Sequence, residues 1–192
     1  MLILNSINTA FIHIPKSGGT SVSDAVKQCL PDTWFQYEDI GVHGSLQRLL
    51  TFDIGRFINN YIVQVRNPYE RFISAYYHQK PEHGFSFQQM LEFLENNLEG
   101  FPDNKLLVPQ HQYIKISPDF ERRYSKEFTV RVFKLEDQSI WQYLRDNGYP
   151  VFARHARKTQ NKSIVLNRLK DAQRETIYNY YRKDFGKFGY NE

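Results

Sequence analysis

Three places in the chain combine residue types that could do chemistry. The first is His13-Ile14-Pro15-Lys16-Ser17-Gly18-Gly19-Thr20-Ser21, where one lysine, three hydroxyls and paired glycines fall within a single short stretch. Glycines let a backbone wrap closely around an anion, and lysine, threonine and serine add donors to the N–H groups of a helix start. Gly-Gly alone would suggest only a tight turn; with these donors between a strand and a helix, the stretch points to a phosphate-type site. It departs from the nucleotide-triphosphatase loop, Gly-x-x-x-x-Gly-Lys-Ser/Thr, because Lys16 precedes the glycines. The second place is Arg66-Asn67-Pro68-Tyr69-Glu70-Arg71-Phe72-Ile73-Ser74. Here an Arg fork and a hydroxyl could converge on a second oxyanion, although Arg66 could equally pair with Glu70 and Ser74 could simply pack. The third is His43, in Gly41-Val42-His43-Gly44-Ser45, a loop histidine able to take a proton near neutral pH.

The elements that must position these residues are legible from periodicity. Asn8–Ile14 carries the near-continuous apolar run of a strand buried on both faces. From Ser21, the residues Val22, Ala25, Val26, Cys29 and Leu30 recur as one helical stripe, which Pro31 stops. The first site therefore lies between a strand and a helix. Trp34–Tyr37 reads as a short strand, and Leu46, Leu49 and Leu50 mark a short helix begun near Ser45. Tyr61–Val65 is a second buried strand, after which Asn67 can cap a helix with Pro68 at its first position and Glu70 at its third. Tyr69, Phe72, Ile73, Tyr76 and Tyr77 form the apolar stripe of that helix, leaving Glu70, Ser74 and His78 on another face. Ser86-x-x-Gln89 predicts a capped helix burying Phe87, Met90, Leu91 and Leu94. Phe128–Phe133 predicts a strand, Asp137–Asn147 a helix ended by Gly148, and Asn167–Asp184 a last helix. Strands alternating with helices imply an α/β fold, with a mainly parallel central sheet flanked by helices in three layers.

At 192 residues the chain suits one domain, and 15 Phe with 13 Tyr exclude a disordered tail protein. Apolar stretches such as Ala10–Ile14 fall far short of the roughly 20 residues that span a bilayer. With no secretory pattern read at the start, a cytoplasmic location is expected. Cys29 is the single cysteine and reads as a packed thiol on an apolar helix face. No clustered metal ligands are recognisable, so no metal is expected. The net charge of +4 is small, but Val151–Lys170 holds six Lys or Arg and no Asp or Glu. That segment is expected to meet negative charge or to form a solvated face.

Together, the Lys16–Ser21 loop and the Arg66–Ser74 segment resemble the cofactor-binding signatures of sulfotransferases that use 3'-phosphoadenosine 5'-phosphosulfate (PAPS). The resemblance is nearest to the carbohydrate O-sulfotransferases of the heparan sulfate 2-O-sulfotransferase type. Pro109-Gln110, Glu136 and the terminal pattern Tyr181, Asp184, Phe188, Gly189 and Tyr190 extend the likeness over most of the chain. It implies a P-loop-like fold as one domain over residues 1–192. Lys16, Ser17, Gly18, Gly19, Thr20 and Ser21 would hold the 5'-phosphosulfate, and Arg66 and Ser74 the 3'-phosphate. His43 would be the catalytic base, and Lys16 would also stabilise charge on the departing phosphate.

The acceptor implied by the resemblance is a small-molecule or saccharide hydroxyl; neither a nucleic acid nor a membrane span is expected. Residues 154–163 form a basic stretch in which Lys158 and Lys162 are further candidate cofactor ligands, on a loop expected to close over the nucleotide. Two other readings remain open. One is a small P-loop-like nucleotide kinase, which should require Mg²⁺ and a Gly-Lys-Ser/Thr loop. The other is a non-catalytic module that binds a nucleotide or polyanion.

Overall fold

In the computed structural model, which describes residues 1–29, 34–36, 41–123, 127–153, 166–167 and 169–192, Leu2–Leu4 (β1) forms a strand to which the sequence reading assigned no element. One turn of 3-10 helix follows over Asn5–Ile7. Asn8, at φ 46°, then reverses the chain into Thr9–Ile12 (β2). Asparagine suits this left-handed position because its short polar side chain is among the few tolerated there. β1 pairs antiparallel with β2 and, on its other side, with Trp34–Gln36 (β3). β2 pairs in parallel with Asn60–Val65 (β4), and β4 in parallel with Thr129–Lys134 (β5). The five strands lie in the order β3-β1-β2-β4-β5. This is the α/β arrangement expected of the sequence: β2, β4 and β5 make up the parallel ladder, and β1 and β3 extend it antiparallel.

The helices, in chain order, are Gly19–Cys29 (α1), Leu46–Leu50 (α2), Asp53–Phe57 (α3), Pro68–His83 (α4), Phe87–Glu95 (α5), Gln110–Tyr113 (α6), Pro118–Arg123 (α7), Ser139–Asp146 (α8) and Asp171–Phe188 (α9). The chain divides into two compact units, one of residues 1–65 and 112–156 and the other of residues 66–111 and 157–192.

The first unit holds the sheet. Val22, Ala25 and Val26 of α1 and Ile140, Trp141 and Leu144 of α8 pack with Leu2, Leu4, Phe11, Ile62 and Phe133. The apolar stripe read from the sequence is thus the face that α1 buries. Burying each such side chain contributes ~1.5–3 kcal/mol, so truncating Val26 or Leu144 would open a costly cavity. α8 starts two residues later than the periodicity predicts. Gln138, at φ 57°, turns the chain before Ser139 and leaves Asp137 outside the helix.

In the second unit, α4, α5 and α9 surround Phe72, Ile73, Met90, Leu91, Leu94, Ile177, Tyr181 and Phe185. Asn67 caps α4, its Oδ1 accepting from the N–H groups of Tyr69 (3.0 Å) and Glu70 (3.4 Å). Ser86 and Gln89 close the reciprocal box at the start of α5. α9 lies about four residues beyond its predicted span, because Ile177, Tyr181, Phe185 and Phe188 continue one stripe until Gly189, at φ 61°, ends it. The buried face of α4 is also wider than its apolar stripe. Arg71, Ser74 and Gln79 are buried too, so Ser74 does not lie on an outward face. Arg71 is accommodated because its Nη2 donates to Leu106 O at 3.0 Å and its guanidinium lies 5.9 Å from the Tyr181 ring centre.

Candidate functional site

β2 delivers the chain into the candidate anion loop. His13 and Ile14 leave the strand, a turn spans Pro15–Gly18, and α1 begins at Gly19. Thr20 and Ser21 therefore sit in the first turn of α1 rather than ahead of it. Two residues of the turn are left-handed, Lys16 at φ 64° and Gly18 at φ 80°. Lysine carries a conformational cost there that glycine does not, which marks a loop shaped by something other than local preference. Ser17 is fully buried, Lys16 and Ser21 are half-buried, and Thr20 is exposed.

Both glycines are required by their surroundings. A Cβ on Gly18 would stand 2.8 Å from Leu135 Cδ1 and 3.1 Å from Gln64 Oε1, and a Cβ on Gly19 would stand 2.1 Å from His13 Cδ2. At Gly19 a side chain would collide with the His13 ring, and at Gly18 it would have to displace Leu135 and adopt a left-handed backbone. The result is a closely backed loop at the carboxyl end of a parallel strand, opening the positive end of an eleven-residue helix. Open α/β sheets bind ligands at this edge, and helix starts bind oxyanions.

His13 and His43 meet in the same unit. His43 Nδ1 donates to the backbone carbonyl of His13 at 2.9 Å, and the two rings meet edge to face with centres 4.6 Å apart. That bond places the Nδ1 proton, so a neutral His43 ring carries its lone pair on Nε2. His13 has a different character. Burial above all, with the nearby His43 adding to it, pushes its pKa down to about 3. It is neutral at pH 7 and serves as a wall for Gly19 and a stacking partner for Phe11.

In the second unit, Arg66 is held by its backbone. Its N–H donates to Gln110 Oε1 (2.9 Å), and its carbonyl accepts from Gln110 Nε2 (2.8 Å), so one amide clasps the residue on both sides. Gln110 is in turn held by the fully buried Asp184 of α9. The carboxylate accepts from the N–H of Gln110 (2.6 Å), the N–H of His111 (2.8 Å) and Nδ1 of His111 (2.7 Å). Three donors offset the cost of burying that charge. Tyr181 Oη donates to Leu107 O at 2.7 Å and ties the same segment to α9.

Pro109-Gln110, Tyr181 and Asp184, which the sequence shows as scattered likenesses, are therefore parts of one scaffold under Arg66. The Arg66 side chain forms the ion pair with Glu70 that its spacing allows, Nε to Oε2 at 3.4 Å. Ser74, two turns into α4, is 6 % exposed. Glu136 lies exposed in the turn after β5.

Sequence reasoning missed Gln64, a buried amide behind Gly18. The available signal was a lone polar residue inside the strand Tyr61-Ile62-Val63-Gln64-Val65. Lys158 and Lys162, with the rest of the basic stretch 154–163, lie outside the described residues. Among the described residues no group of three or more His, Cys, Asp or Glu is placed to hold a metal ion, and no helix is long and apolar enough to cross a membrane. No curated protein and no solved structure gives a significant match. A family model described as the sulfotransferase family matches residues 2–191.

Proposed function

The chain belongs to the sulfotransferase family, and from that premise we propose that it moves a sulfuryl group from PAPS to an acceptor hydroxyl, with His43 as the general base. The observation that carries this reading is the Lys16–Ser21 loop, whose glycines are closely backed by Leu135, Gln64 and His13 and whose helix start lies at the carboxyl edge of the parallel strands. Such a cradle fits a phosphosulfate. Bound there, that group supplies a sulfuryl unit whose bond to the 5'-phosphate breaks as the acceptor oxygen forms its own.

Lys16, Ser17, Thr20, Ser21 and the loop N–H groups bind the 5' end, and Lys16 offsets the charge that builds on the phosphate. Gly18 and Gly19 let the backbone approach. Arg66 and Ser74 bind the 3'-phosphate, with Lys158 and Lys162 as further cofactor ligands. His43 Nε2 takes the acceptor proton, its ring held by the bond from Nδ1 to His13 O. The likeness to the 2-O-type carbohydrate enzymes supports a saccharide or glycoconjugate hydroxyl as acceptor.

Titration calorimetry with 3'-phosphoadenosine 5'-phosphate (PAP), ADP and ATP, each with and without Mg²⁺, tests the reading. PAP should bind in both conditions and more tightly than ADP or ATP. Preference for ATP with Mg²⁺ would point to the kinase reading instead. PAP binding without sulfated product from any hydroxyl acceptor would point to a binding module.

A further inference from the structure

Gln64 is the penultimate residue of β4, in a strand whose other members from Tyr61 to Val65 are apolar and buried. Its side chain is 1 % exposed, and among the described residues neither Nε2 nor Oε1 has a hydrogen-bond partner. Among the described residues the one other buried side-chain atom in this condition is Gln79 Oε1. A primary amide has two donors and an acceptor to place, and leaving it unpaired in the interior is a cost that leucine or methionine of similar size would not carry.

The register shows where this amide stands. Phe11 lies level with Ile62 and Ile12 with Val63, so Gln64 comes level with His13 as the chain leaves β2 for the loop. On the other side Gln64 is level with Phe133. Side chains alternate along a strand, so Gln64 shares the face of Ile62, which is the face α1 covers. Its Oε1 lies 3.1 Å from the point that a Cβ on Gly18 would occupy. The amide thus lies directly behind the loop.

We propose that Gln64 is a cofactor-binding residue, the floor of the anion cradle. Nε2 donates to an oxygen of the 5'-phosphosulfate held by residues 16–21, and Oε1 accepts from a loop N–H. Position 18 is glycine so that loop and amide can close on the anion together. The inference rests on the reading that the loop holds the 5' end of PAPS. It adds a ligand from the strand behind the loop, which the loop signature itself does not contain.

The sign of two effects in one variant separates a ligand from a packing residue. Gln64→Met keeps the volume and removes the amide. A cofactor ligand predicts that unliganded Gln64→Met melts no lower than wild type, while its affinity for PAP falls roughly ten-fold or more, as for a lost bond to a charged group. Affinity for adenosine 3'-monophosphate, which lacks the 5'-phosphate, should change little. Gln64→Leu provides the same comparison if the methionine variant does not fold.

Wild-type affinity for PAP in either variant would overturn the inference, as would equal losses for PAP and adenosine 3'-monophosphate. A wild-type protein that binds no PAP would fail the cofactor reading itself, and the inference with it. A wild-type protein that binds PAP beside a variant that binds equally well would remove Gln64 alone.

Discussion

His43 and His13 show how two residues of one type take opposite tasks from their surroundings. His43 is half-buried and donates its Nδ1 proton to a carbonyl, which puts the lone pair of the neutral ring on Nε2. Replacing it with glutamine keeps a donor for that carbonyl but removes the proposed base. His43→Gln should therefore lower turnover with a responsive acceptor by about 10²–10⁴-fold while PAP affinity stays near wild type. Turnover close to wild type would place the base elsewhere.

His13, held neutral by burial, affects stability instead. Its pKa falls from 6.5 in the open chain to about 3 in the fold. Between those values the unfolded chain binds a proton that the folded chain refuses. Stability is therefore complete above about pH 6.5, falls as the pH drops, by up to ~1.4 kcal/mol per unit, and levels off below about 3. Urea midpoints at pH 7 and pH 5 check this: His13→Phe should lose less stability on acidification than wild type. An equal loss in both proteins would assign the titration to another group.

The helix starts were legible as chemistry written into a few adjacent residues. Asn67-Pro68 and Ser86-x-x-Gln89 cap α4 and α5 where the sequence placed them, because caps are local bonds between neighbours. Ends and faces were less legible. α9 passes the predicted stop at Asp184 because its buried stripe runs on to Phe188, and within that stripe Asp184 turns inward onto Gln110 and His111, pairings over seventy residues apart that no local pattern announces. Through Gln110 the same helix sets the backbone at Arg66. Gln110→Leu should accordingly reduce the preference for PAP over adenosine 5'-monophosphate, the share of affinity owed to the 3'-phosphate. Each backbone group left unpaired at Arg66 would cost a further ~1–3 kcal/mol of stability. An unchanged preference, measured by calorimetry, would show that Arg66 keeps its place without the clasp.

Across the whole molecule, cofactor binding should appear as added stability, because a ligand that binds only the folded chain shifts the unfolding equilibrium. PAP at a hundred times its dissociation constant should add ~2.7 kcal/mol, and for a chain of 192 residues that corresponds to a rise in melting temperature of several degrees, with or without Mg²⁺. No rise at that occupancy would count against binding to the native state. The amino-acid sequence by itself determined the α/β class, the strand–loop–helix at Lys16–Ser21, the second helix start after Arg66, and His43 as a candidate base. These rest on periodicity, glycine placement and capping, which act between residues close in sequence. Tertiary structure alone decided that Gly18 and Gly19 are closely backed by Leu135, Gln64 and His13, that His13 fixes the tautomer of His43, that Asp184 and Gln110 brace Arg66, and that Gln64 lies behind the loop. Each of these depends on atoms brought within a few ångströms by strand register and helix packing, and the partners of a buried polar group are set by that packing rather than by its neighbours in the chain.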